Sequence, residues 1–418
     1  MNFRKLKITE WQQFQNIEIN FHDRLTILTG ANGSGKTTIL QHILATHFGW
    51  NSPSCSTPKK DKISGVVAFF TRLFNGENKT DNGIIGYIEY DNDQTANLKV
   101  PNQNSAQYQI QIPNKQGVQC FYIPSHRSVF RYEPISNIPF GKKNKQSAFQ
   151  EVSNANKQRY FGGNSQSSSF FMKNTLISWA YQGYRLVDDD NNEINTRDTE
   201  QVKFYEGFKD VLKKILPKTL GFENFEIRER EIVFICNQWK DEFILEQTSG
   251  GISALIDIAW QIYMYSTKEQ TDFTVIIDEV ENHLHPTMQR QILPDLLNAF
   301  PQARFIVSTH SPLVVGSVQN SIVFVLKYDE NRKIISRQLD LVNQAKTATE
   351  ILDEVLGVSF TMPIWAEEKL NNIVNTYSQK EMTKDEFQNM RNELKEAGLG
   401  KLMPEVIYDL IEKENEKN

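Results

Sequence analysis

Cysteine is scarce: the chain carries only Cys55, Cys120 and Cys236 in 418 residues, with no Cys-x-x-Cys pair. That excludes a disulfide framework and suits a reducing compartment, so a cytoplasmic location is expected. No apolar run approaches the ~20 residues of a membrane-spanning helix. The start, Met1-Asn2-Phe3-Arg4-Lys5, is not followed by the apolar core of a signal peptide. A membrane partner is therefore not expected. A large charge excess is also missing, and the net charge of −5 argues against a broadly basic nucleic-acid surface. The lysine clusters Lys59/Lys60/Lys62 and Lys142/Lys143/Lys145 lie in polar stretches and read as solvated loops. No heptad repeat is sustained between Thr38 and Gln247, which excludes a long coiled-coil arm. What remains, 39% hydrophobic residues with 21 glycines and 14 prolines, is the composition of a globular chain. Its length leaves room for one large or two to three ordinary domains.

The most informative stretch is Leu25-Thr26-Ile27-Leu28-Thr29-Gly30-Ala31-Asn32-Gly33-Ser34-Gly35-Lys36-Thr37-Thr38. An apolar strand runs into a glycine-rich turn and then a helix, and Gly30-x-x-x-x-Gly35-Lys36-Thr37 has P-loop spacing. Glycine lets successive amides of Asn32, Gly33, Ser34 and Gly35 face inward and bind phosphate oxygens. The helix beginning at Lys36, Thr37 and Thr38 adds the positive end of its dipole. Lys36 would reach the β- and γ-phosphates of ATP, and the Thr37 hydroxyl would ligate Mg²⁺. Ile39, Leu40, Ile43 and Leu44 keep helical spacing, and Gly49 is a natural stop.

Three later motifs complete a site. Ser249-Gly250-Gly251 precedes a helix whose apolar face is Ile252, Leu255, Ile256, Ala259 and Tyr263, and its exposed amides suit phosphate as well as a plain cap. Phe273-Thr274-Val275-Ile276-Ile277-Asp278-Glu279 is a buried-type strand ending in two carboxylates, the Walker B pattern. Asp278 would hold the magnesium beside Thr37, and Glu279 would polarise the attacking water as general base. Glu281-Asn282-His283-Leu284-His285-Pro286 follows; its two histidines lack partners for a zinc site. Arg304-Phe305-Ile306-Val307-Ser308-Thr309-His310 is another buried strand, and His310 at its carboxyl end could contact the γ-phosphate or orient the water.

Elsewhere the patterns are coarser. Residues 3 to 28 read as two or three strands. Trp11 and Phe14, in the turn between the first two, would pack on the sheet, or one could stack on adenine. Tyr87-Ile88-Glu89-Tyr90, Tyr108-x-Ile110-x-Ile112 and Val118-x-Cys120-Phe121-Tyr122-Ile123 read as an antiparallel subsheet. The last of these runs into Pro124-Ser125-His126-Arg127, where Arg127 could touch phosphate, a neighbouring subunit or a structural carboxylate. Residues 138 to 170 are rich in Asn, Gln, Ser and Lys and read as a mobile loop. Helical faces follow at Leu176, Trp179, Ala180 and Tyr184 and at Phe204, Phe208, Val211, Leu212, Ile215 and Leu216, then strands at Phe225-x-Ile227, Ile232 to Ile235 and Phe243 to Leu245.

In this order the motifs resemble the ABC-type ATPase heads of the RecF, SMC/Rad50 and OLD group. The run from Asp278 to Pro286 and Ala348-Thr349-Glu350-Ile351-Leu352-Asp353-Glu354-Val355-Leu356-Gly357 look especially OLD-like. The resemblance implies an α/β head with mixed and antiparallel β subsheets over residues 1–356, with a P-loop lobe (1–137 and 264–356) and a helical signature lobe (138–263). It implies ATP and Mg²⁺ as cofactors and a homodimer or higher homo-oligomer. Two heads would sandwich ATP, with Ser249, Gly250 and Gly251 acting in trans and Glu281, Asn282 and His283 crossing the interface. Two features depart from the group. Ile252 replaces the glutamine expected after the signature glycines. No Q-loop glutamine can be placed among Gln107, Gln109, Gln111 and Gln119.

Residues 357–418 are too few for the nuclease domain of OLD proteins. They read as three short helices with stripes at Leu370/Ile373/Val374/Tyr377, Phe387/Met390/Leu394 and Met403/Val406/Ile407/Leu410, docking on the head or on a partner. A free head with a helical tail resembles the ATPase components of two-gene phage-defence systems such as Septu and PARIS. That implies a regulatory ATPase for antiviral defence, a separate effector nuclease encoded nearby, and DNA or a phage protein as trigger. The alternative is a RecF-like repair ATPase that binds DNA.

Overall fold

A computed structural model describes residues 1–55, 58–60, 67–69, 83–101, 106–137, 141–184, 197–267, 272–339, 364–378 and 383–400. The chain divides into two compact units, Met1–Ile351 and Leu352–Asn418.

The first unit opens with three strands, β1 (Phe3–Trp11), β2 (Phe14–Asn20) and β3 (Leu25–Thr29). The P-loop then enters helix α1 (Lys36–Ile39), which continues through a wide turn, Leu40–Leu44, and a tight one, Ala45–Phe48. Gly49, at φ 82°, ends the run as its spacing predicts. Strands β4 (Ser54–Cys55), β5 (Pro58–Lys60), β6 (Val67–Phe69), β7 (Ile84–Tyr90), β8 (Thr95–Lys99), β9 (Gln107–Tyr108) and β10 (Cys120–Ile123) follow. Helices α2 (Lys145–Tyr160), α3 (Ser168–Gly183) and α4 (Thr199–Ile215) come next. A separate antiparallel sheet is formed by β11 (Phe222–Arg228), β12 (Glu231–Cys236) and β13 (Asp241–Ile244). The chain then alternates through α5 (Gly250–Tyr265), β14 (Phe273–Ile277), α6 (Pro286–Ala299), β15 (Ala303–Thr309), α7 (Pro312–Val315), β16 (Ile322–Tyr328) and β17 (Ile334–Leu339).

Ten of these strands make one mixed sheet in the order β10-β14-β15-β3-β16-β17-β2-β1-β7-β8. From β10 to β16 all neighbours are parallel, whereas β1, β2, β7 and β8 pair antiparallel. Every residue of β3, β10 and β14 is buried, as expected of parallel strands covered on both faces. Helix α5 packs against α2, α3 and α4, and every residue from Ile252 to Ile262 is buried. The fold is thus α/β, with a helical layer between the two halves of the sequence that build the parallel core.

Four local expectations change. Residues 138–170 are not a loop where described: they contain the four-turn helix α2, capped by the Asn144 side chain, which accepts from Ser147 N at 2.7 Å. Its buried residues Ala148, Val152 and Ala155 keep helical spacing under a polar composition. Strand β10 joins the parallel core beside β14 rather than an antiparallel subsheet, because its run of four apolar positions is buried on both faces. Ile110 and Ile112 lie beyond β9, with only an isolated bridge between Lys99 and Gln111. In the second lysine cluster Lys142 is exposed in a loop as expected, whereas Lys143 and Lys145 are partly buried. Lys142 pairs with Asp198, Lys143 with Glu151, and the Lys145 ammonium lies 3.4 Å over the Tyr263 ring.

The second unit contains the helices α8 (Ile364–Tyr377) and α9 (Lys384–Glu396). The expected stripes Leu370/Ile373/Val374/Tyr377 and Met390/Leu394 are buried in one cluster, with Phe387 partly buried against it. The third expected stripe, and the run 348–357, lie outside the described residues. No helix among the described residues is long and apolar enough to cross a membrane.

Candidate functional site

The carboxyl ends of β3, β14, β15 and β10 lie side by side, so the segments that leave them converge on one edge of the sheet, where ligands bind in parallel sheets. β3 delivers the P-loop. Gly30, Gly33 and Gly35 all have positive φ, at 141°, 78° and 85°. The Lys36 ammonium is folded over the loop, donating to the carbonyls of Gly30 at 2.9 Å and Ala31 at 3.1 Å. Burial pushes it down to about 8, against the raising effect of Asp278, Glu279 and Glu281.

β14 brings Asp278 to the same point. The Thr37 hydroxyl lies 3.1 and 2.9 Å from its two carboxylate oxygens, across 241 residues of sequence. Ser308 Oγ donates to Asp278 Oδ1 at 2.5 Å and accepts from Glu279 N at 2.7 Å. Burial raises the Asp278 carboxyl, while the Ser308 and Thr37 bonds pull the other way. A threonine hydroxyl and a carboxylate form an all-oxygen donor pair, which fits Mg²⁺.

Glu279 adopts φ 46°, a left-handed conformation unusual for a residue with a side chain. Its Oε2 accepts from Asn282 Nδ2 at 2.7 Å. β15 delivers His310: its Nδ1 is 3.4 Å from Lys36 Nζ, and its Nε2 is 3.8 Å from Glu279 Oε1. Burial, then the Lys36 charge, lowers the His310 imidazole below its ordinary range, so it is neutral near pH 7. The His310 amide donates to Glu281 Oε1 at 2.5 Å. The five residues Lys36, Thr37, Asp278, Glu279 and His310 are therefore one constellation.

The Ser249-Gly250-Gly251 turn is placed differently. Ser249 caps α5, accepting from Ile252 N at 3.5 Å, and both Ser249 and Gly250 are exposed. The described bonds of Ser249 stay within α5 and do not reach the P-loop of the same chain. Gly251 abuts the loop after β14, where a Cβ would stand 3.0 Å from the His283 carbonyl. Glu281 and Asn282 spend their side chains within the chain, on His310 N, Glu279 and Ser125. His285 caps α6, with Nδ1 accepting from Thr287 N at 3.4 Å.

Two other expectations resolve at this edge. Trp11 and Phe14 are buried and stacked on each other at 5.6 Å, and Trp11 Nε1 donates to Tyr108 OH, so neither ring is free for adenine. Among the described residues Arg127 forms no ion pair with a carboxylate. Its guanidinium donates to the backbone carbonyls of Asp278, Glu279 and Asn282 at 3.3, 2.9 and 3.0 Å. Gln119 lies at the start of β10, the end away from Asp278, beside Tyr265.

Ser308 is the site residue that motif reading passed over. The signal was its position two before His310 in a strand, which puts both on one face. Tyr328, whose OH donates to Gly33 O at 3.2 Å, carried no signal at all.

Several known proteins resemble this chain. A Septu protein PtuA from Bacillus thuringiensis is 24% identical over 381 residues, covering 87% of this chain and 86% of that protein. The Retron Vc95 probable ATPase of Vibrio cholerae serotype O1 biovar El Tor is 22% identical over 408 residues, covering 80% and 76%. A Septu protein PtuA from Bacillus mycoides (strain KBAB4) is 29% identical over 162 residues, a match spanning 36% of this chain and 22% of that protein. Among solved structures, an SMC head domain from Thermotoga maritima aligns over 81% of this chain and 98% of its own, at 15% identity and a TM-score of 0.41. The model of an AAA domain family, described as putative AbiEii toxin, Type IV TA system, matches residues 25–316, and the chain belongs to that family.

Proposed function

We propose that this chain binds and hydrolyses Mg-ATP as the regulatory subunit of an antiviral defence system. Two copies close head to head around ATP and so control a separate effector nuclease. The observation that carries the reading is the meeting of Lys36, Thr37, Asp278, Glu279 and His310 at one sheet edge. The P-loop amides from Asn32 to Thr38 and the Lys36 ammonium would bind the triphosphate. Thr37 and Asp278 would hold the magnesium, which supplies charge neutralisation at the β- and γ-phosphates. Glu279, oriented by Asn282, takes a proton from the attacking water, and neutral His310 donates to the γ-phosphate. The exposed Ser249 and Gly250 suit contact with nucleotide held by a second copy. The defence setting is supported by the Septu and retron relatives.

Hydrolysis of Mg-ATP by the purified chain tests the reading. Lys36→Ala should abolish nucleotide binding. Glu279→Gln should bind ATP, hydrolyse it at least about 10²-fold more slowly and elute as a dimer in ATP. Parental hydrolysis by Glu279→Gln would remove Glu279 as the base. Copurification with the product of the neighbouring gene tests the effector. A chain that acts alone, or that binds duplex DNA in a salt-dependent, ATP-stimulated way without a partner, would overturn that part.

A further inference from the structure

We infer that Arg127 is a positioning residue: its guanidinium holds the backbone of Glu279 in the conformation hydrolysis needs. The inference rests on the ATPase reading above.

Glu279 stands in the left-handed region at φ 46°, and His283, four residues on, at φ 69°. For residues with a side chain such conformations are strained and persist only where the surroundings over-determine them. No glycine relieves this turn, so the surroundings must hold it. They do so from both sides of the residue. Ser308 Oγ takes the Glu279 amide at 2.7 Å, and Arg127 takes the Glu279 carbonyl at 2.9 Å. The same guanidinium reaches Asp278 O at 3.3 Å and Asn282 O at 3.0 Å. Asn282 is in turn the donor that orients the Glu279 carboxylate. One planar fork thus gathers three carbonyls of the turn between β14 and α6, a geometry that an ammonium on a single nitrogen cannot reproduce.

Arg127 is buried, 9% exposed, so its charge needs an answer. The largest favourable charge acting on it is Asp257, ahead of Glu281, Asp278 and Glu279. Asp257 is buried on α5, 1% exposed, with the Arg159 and Arg127 guanidinium groups as its positive neighbours. Gln261 Nε2 donates to its Oδ2 at 2.8 Å. Burial works against both charges, and Ser168 also bonds the Asp257 carboxylate. Asp257 lies eight residues into the helix capped by Ser249, about 12 Å along its axis. The stretch leaving β10 carries no glutamine, and Arg127 is its one side chain bonded to the Asp278–Asn282 turn among the described residues.

The test uses the full chain, with steady-state Mg-ATP hydrolysis, affinity for a fluorescent ATP analogue, and thermal melting. Glu279→Gln first establishes that the hydrolysis belongs to this site, independently of Arg127. Arg127→Met should then lower kcat by about 10²-fold, with KM and analogue affinity within about threefold of the parent. Arg127→Lys keeps the buried positive charge and should melt like the parent, yet still lose at least about tenfold in kcat. Parental turnover by a folded Arg127→Lys would overturn the positioning role, as would a loss of kcat that only follows lost affinity or melting. If the parent hydrolyses no ATP, the ATPase reading fails and this inference falls with it.

Discussion

Gly35 shows how closely the phosphate loop is built onto the sheet below it. Its backbone turns at φ 85°, and a Cβ there would stand 2.3 Å from Phe14 Cζ. Both conditions exclude any other residue. Gly35→Ala should cost about 2 kcal/mol or more in urea unfolding and weaken binding of an ATP analogue. Gly35→Ala/Phe14→Ala, which removes the ring but not the positive φ, should regain nothing in that affinity. His47 gives a pH signature. Its Nδ1 meets Leu44 O at 3.1 Å and its Nε2 meets Tyr90 OH at 2.8 Å. Burial lowers its imidazole to about 4. Between pH 6.5 and 4 the unfolded chain binds a proton that the folded chain refuses, so stability falls as pH falls. From pH 7 to pH 5 this group should remove about 2 kcal/mol of unfolding free energy. His47→Gln should lose that much less over the same interval.

At the scale of elements, the turn leading into Ser249 hangs on a buried ion cluster. Lys173 on α3 is wholly buried, with Nζ 2.7 Å from Glu231 on β12 and 2.9 Å from Glu246 three residues before Ser249. Burial alone would lower the ammonium; the bonds to Glu231 and Glu246 override it and raise it. Lys173→Met strands two carboxylates and should cost about 3–5 kcal/mol in chemical denaturation. Adding Glu231→Gln and Glu246→Gln should return most of that. Asn144→Ala, which removes the cap of α2, should cost about 1 kcal/mol. The same two elements, α2 and β10, mark where sequence reading stopped short. Composition hid α2, although Ala148, Val152 and Ala155 carried the helical period. The alternation of Val118 and Cys120 suggests an antiparallel strand, but β10 itself is apolar throughout and buried on both faces.

For the Met1–Ile351 unit as a whole, the cysteines are natural reporters. Cys55 is exposed, while Cys120 sits in β10 of the large sheet and Cys236 in β12 of the small one, both buried. Burial pushes the Cys120 thiol up to about 12. A thiol reagent should modify one cysteine rapidly in the native protein and three in denaturant. Through the urea transition Cys120 and Cys236 should become reactive together if the two sheets unfold as one cooperative unit. Separate midpoints would show two.

The sequence by itself determined the chemistry on offer. P-loop, Walker B carboxylates and strand-ending His310 are contiguous motifs, and each dictates its own backbone geometry within a few residues. Only the tertiary structure decided what stands next to what. It set Thr37 against Asp278, brought Ser308 under the Glu279 amide, and turned Arg127 from a charge of open purpose into the clamp of three carbonyls. The physical reason is that those bonds depend on strand order. Buried backbone and side-chain groups take whichever partner the neighbouring strand presents, and nothing local in the chain says that β10 lies beside β14 or that β3 lies beside β15.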